Sequence, residues 1–110
     1  MEVMSGWERT HRRYELVYAV ADDVARHGPV ALDEWQRAID AEYGSTDAFL
    51  LDVRRRWDLA VVARMEEDRP LDDIEAEVSR TNAGLRAVLR RFADHPALAG
   101  RDQTAAASTA

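Results

Sequence analysis

Glu8 and His11 stand three residues apart, the Glu-x-x-His spacing with which di-iron bundles set two ligands on adjacent turns of a helix. Such a site needs the pair twice, with two further carboxylates, and neither His27 nor His95 follows a glutamate by three residues. The pair therefore reads as a helix-capping glutamate and a half-buried histidine, and neither a metal nor a cofactor is expected.

A second constellation involves arginine. At about 100° per residue, Phe49, Leu50, Val53, Trp57, Ala60, Val61 and Met65 gather on one side of a helix, and Arg54 and Arg64 fall within the same arc. An unpaired guanidinium in a core is costly, so each must find a carboxylate, a ligand or water. Arg54, at the edge of the face, can lay its stem on the core and keep its head wet. Arg64 lies nearer the middle. With His11, Tyr14 and Tyr18 it is the candidate lining of a pocket for an acidic small molecule, or it pairs with Asp22 or Glu15. The neighbouring run Arg54-Arg55-Arg56 spans about 200° of the wheel and makes no single patch; with Asp52 and Asp58 it is expected to form local ion pairs in solvent.

A third set is Arg86, Arg90 and Arg91. Ile74, Val78, Leu85 and Val88 match the apolar spacing of a helix-turn-helix in which Thr81 or Asn82 would cap a recognition helix carrying those arginines. Ser79 and Arg80, however, occupy the turn positions where a glycine and an apolar residue usually sit. The formal net charge of -6 also repels a phosphate backbone, so nucleic acid is not the expected partner. No Gly-rich phosphate loop, nucleophile elbow or Ser/His/Asp order is present, and a catalytic role is not expected.

The elements that must position these residues are all helices. Ser5 and Glu8 form a capping-box pattern that opens a helix ending at Gly28-Pro29. A shorter helix over about Ala31 to Tyr43 ends at Gly44, and Ser45, Thr46 and Asp47 offer oxygens to cap the central helix, which runs to Asp68. Arg69-Pro70 closes it and opens the last. There Leu71, Ile74, Val78, Thr81, Leu85, Val88 and Phe92 alternate steps of three and four, predicting one helix of about 25 residues ending near His95-Pro96. Thr81, Asn82 and Gly84 are poor helix formers in its middle, so a break there is the alternative. The fold class is all-α: a small antiparallel bundle of three long helices and one short one, a single domain over residues 1–96 with a disordered tail over 97–110.

Composition agrees. With 46% hydrophobic and 33% charged residues in 110, the chain is globular, and no apolar run reaches the roughly 18 residues of a membrane span. An opening without an apolar leader and a cysteine count of 0 point to the cytoplasm. All 15 basic residues are arginine, the bias of a GC-rich bacterial genome, so their number says little about recognition. Two features suggest a function. Leu51, Leu59 and Val62 form a second apolar stripe on the back of the central helix, and the seam from Leu71 to Phe92 forms another; a short second helix cannot cover both. The expected function is a protein-interaction or regulatory module, self-associating as a homodimer or docking on a larger partner.

Overall fold

The computed structural model describes residues 5–65 and 68–99. It is all-α: α1 (Gly6–His27), a 3-10 turn (Pro29–Ala31), α2 (Leu32–Tyr43), α3 (Thr46–Met65), α4 (Leu71–Thr81) and α5 (Ala83–Arg91). Local chemistry sets most boundaries. Ser5 Oγ accepts from the Glu8 amide at 3.1 Å, and Gly28 at φ 84° ends α1 with its amide on the Val24 carbonyl. Gly44 at φ 82° ends α2 in the left-handed conformation that suits glycine. Of the three candidate caps on α3, Ser45 is the one used: its Oγ accepts from the Ala48 amide at 3.1 Å. The expected end of that helix at Asp68 lies past residues 66 and 67, which are outside the described residues; Asp68 itself has a positive φ of 51°.

The last helix is not continuous. It breaks at Asn82, whose φ of -127° and ψ of 43° leave helical space, and yields α4 and α5 in place of the single long helix. Two causes act together. Ser79 Oγ donates to the Glu75 carbonyl at 2.7 Å and Thr81 Oγ1 to the Glu77 carbonyl at 3.1 Å, back-bonds that bend helices. Beyond the break, Gly84 sits so near α1 that a Cβ there would lie 1.9 Å from the Ala21 carbonyl oxygen. Only glycine permits that approach.

The core gathers Val17, Val20 and Val24 of α1, Leu32 and Ile39 of α2, Phe49, Leu50 and Val53 of α3, and Leu85 and Val88 of α5. Ile74 and Val78 are buried outside this cluster, where α4 packs on α3. The seam residues Ile74, Val78, Leu85 and Val88 are thus covered within the chain and Phe92 is half-buried, so of the expected interaction surface Leu71 faces outward on this seam, together with Leu51, Leu59 and Val62 on α3. The periodicity had correctly put them on one side; the break lets a single chain cover that side. The chain also continues past its expected end: residues 96–99 make one more helical turn and bury Leu98. Residues 100–110, the rest of the expected tail, lie outside the described residues.

A clamp closes the corner between α1 and α2. Asp23 accepts from Trp35 Nε1 at 2.7 Å and faces His27 Nδ1 at 2.6 Å, and these two hydrogen bonds, Trp35's first, hold its carboxyl below the ordinary value. No helix among the described residues is long and apolar enough to cross a membrane.

Candidate functional site

Tyr14 and Tyr18, one turn apart on α1, have ring centroids 4.8 Å apart, and an arginine does lie over them. It is Arg56, whose guanidinium carbon is 5.3 Å from one ring centre and 5.7 Å from the other. Arg64, eight residues further along α3 and so about 12 Å away along the axis, ends on Glu77 of α4 at 2.9 Å. Arg69 binds the other oxygen of the same carboxylate, and the Arg69 hydrogen bond with both charges holds Glu77 below its ordinary pKa. His11 is exposed, 3.0 Å from Glu15 and stacked on Trp7. The structure thus brings Tyr14 and Tyr18 together, keeps His11 at the surface and removes Arg64 to a different helix pair. The signal for Arg56 was present: it follows Phe49 by seven residues, two turns along the same side of α3.

Arg56 belongs to a polar cluster where α1, α2 and α3 meet. Asp52 is its hub. One carboxylate oxygen accepts from Tyr43 Oη at 2.5 Å and from Arg56 Nε at 3.4 Å; the other accepts from Arg55 Nε and Nη2 at 3.1 and 2.9 Å. Arg13 lies over the Tyr43 ring at 4.8 Å and donates to the Glu42 carbonyl at 3.4 Å, while its buried Nε has no hydrogen-bond acceptor. Burial, reinforced by the bond to Asp52, raises the Tyr43 phenol far above its ordinary value of 10.0. Burial alone would raise Asp52 too, but the Tyr43 hydrogen bond and the charges of Arg56 and Arg55 outweigh it and hold the carboxyl low. The hydrogen bond from Tyr43 to Asp52 ties α2 to α3. The cluster opens on a cleft of about 310 Å³ that includes Thr10, Arg13 and Arg55.

The remaining candidates are separate. Arg54 Nε is 3.4 Å from Asp58 yet out of line for a hydrogen bond, its side chain 36% exposed at the edge of the core. Arg86, Arg90 and Arg91 share a shallow groove with Pro29, Ser79, Ala83 and Ala87 and no carboxylate. One residue, Asn82, joins α4 to α5, fewer than the three or four of a helix-turn-helix, and α5 buries Leu85 and Val88 in the bundle. Among the described residues no group of three or more His, Asp or Glu side chains is placed to hold a metal ion.

Along the outer side of α3, exposed apolar side chains flank the charged Arg55 and Asp58, and Met65, expected on the inner arc, is among them. Leu51 is 42% exposed, Leu59 53%, Val62 58% and Met65 55%, with Leu71 of α4 at 51%. Against known proteins, the chain matches no family model, no curated protein and no solved structure.

Proposed function

We propose that the chain is a non-catalytic protein-interaction module, acting in the bacterial cytoplasm and docking through the outer face of α3. The observation that carries this is the row of Leu51, Leu59, Val62 and Met65, each at least 42% exposed along one 20-residue helix. Single exposed leucines are ordinary; four large apolar side chains exposed on one helix, around the charged Arg55 and Asp58, suit an interaction surface with an apolar and a polar part. Site-specific photocrosslinking in cells tests it: a crosslinker at position 62 is expected to yield discrete protein adducts that one at Asp33, exposed on α2, does not. Equal or absent adducts at both positions would sink the reading.

A second reading has its own observation. Arg13, Arg55 and Arg56 border one cleft with Asp52 as its carboxylate, an excess of positive charge that suits a small anion. Stabilisation by inorganic phosphate in a thermal-shift assay, lost in Arg55→Gln, would favour a ligand-binding regulator; no shift at millimolar phosphate removes it.

A further inference from the structure

The outer face of α3 carries more than apolar area, because its pattern is its own complement. Ala48, Leu51, Arg55, Asp58, Val62 and Met65 follow one another at steps of three, four, three, four and three. At about 100° per residue they stay within an arc of about 100° on the side away from Phe49 and Val53, with Ala48 half-buried against the core at one end, which is the spacing of a coiled-coil a/d seam. Read from either end, the seam runs two apolar residues, two opposite charges, two apolar residues. We propose that the partner of this face is a second copy of the chain, with the two α3 helices packed antiparallel about a two-fold axis between positions 56 and 57. This rests on the interaction reading above.

That axis sets Leu51 against Val62 of the second copy, Ala48 against Met65, and Arg55 against Asp58, each pairing made twice, as an isologous contact requires. A parallel pairing in register would set Arg55 on Arg55 and Asp58 on Asp58, so the charges select the antiparallel arrangement. Both charged groups are placed for it. Arg55 is 55% exposed and binds Asp52 through Nε and Nη2, which leaves its Nη1 edge to meet a second carboxylate; Asp58, 41% exposed and 3.4 Å from Arg54 of its own chain, keeps carboxylate lone pairs for a second arginine. The seam from Ala48 to Met65 is about 26 Å long and one helix wide, less than the roughly 800 Å² per partner of a standard stable complex. The dimer is therefore of the weak, exchanging class.

Charge reversal tests the pairing. Sedimentation equilibrium of the full chain is expected to show concentration-dependent dimers for the wild type. Arg55→Asp and Asp58→Arg should each be monomeric under the same conditions, since each turns both cross pairs into like charges. The double reversal should dimerise again, and an equimolar mixture of the two single variants should form a heterodimer. Circular dichroism confirms that each variant is folded; should Asp58→Arg not fold, Arg55→Asp and the double variant still decide. A wild type that stays monomeric up to about 1 mM, the weak end of specific association, overturns the proposal. Dimers indifferent to both charge reversals overturn it too. In either case, adducts from position 62 with masses other than twice the chain would leave the interaction reading standing, and the absence of any adduct would remove both.

Discussion

Helix α5 and the outer side of α3 are built from the same materials, branched aliphatic side chains at three- and four-residue spacing, and they end in opposite environments. Leu85 and Val88 are 1% exposed, and α5 lies against α1 with the Gly84 backbone on the Ala21 carbonyl. Leu51 and Val62 remain about half in water. Geometry accounts for the difference. Helices α2, α4 and α5 all pack on α3, yet none covers Leu51 or Val62, so one side of the central helix stays open. An apolar stripe says that something covers it; the placement of the neighbours says whether that is the same chain.

The contrast can be broken most severely at Gly84. Gly84→Val should cost on the order of 4 kcal/mol or more, because the new side chain meets the α1 backbone, which cannot move aside as a side chain would. Urea unfolding by circular dichroism reads this, and an unchanged midpoint would show that α5 does not dock there. Leu50→Ala, on the inner side of α3 at 0% exposure, should cost about 3 kcal/mol by the same measurement. Tyr43→Phe comes next at about 2 kcal/mol, the usual effect of removing a donor from a partly buried charged acceptor. It should also change the pH dependence. Asp52 has a lowered pKa when folded, so its contribution is present above about pH 4 and lost as pH falls through the lowered value. Tyr43 has a raised one, so its contribution is present below about pH 10 and lost above it. Wild-type stability should hold between those limits, and Tyr43→Phe should lower the plateau and lessen the alkaline fall. The smallest effect belongs to the outer face. Val62→Ser should change monomer stability by no more than about 0.5 kcal/mol while weakening association. A large loss of stability would mean that the face is already covered within the chain.

What was legible in the sequence was local. Ser5, Gly28 and Gly44 end helices through bonds to residues three or four positions away, and those boundaries read correctly. The inward side of α4 and α5 was legible as periodicity, whereas their separation depends on how closely Gly84 approaches Ala21, some sixty positions earlier. The candidate site shows the same limit. A helical wheel put Arg54 and Arg64 on the inner side of α3 and left Arg56 among ion pairs in solvent, yet Arg56 is 10% exposed; which arginine meets Tyr14 depends on how far along α3 the first helix crosses, and a wheel has no axial coordinate. Leu98 was missed because a single turn is too short to show a period.

The break at Asn82 also holds the bundle closed. On either side of it the apolar register continues without a slip, so a straight helix from Leu71 to Arg91 would satisfy the backbone as well as the bent pair does. It would no longer let α4 rest on its own α3 while α5 rests on its own α1. Straightened, the chain would carry Ile74 and Val78 away from their seat and into water. Asn82 and Gly84 are poor helix residues that make this opening unfavourable, and replacing Asn82 with alanine would lower its cost without touching the core.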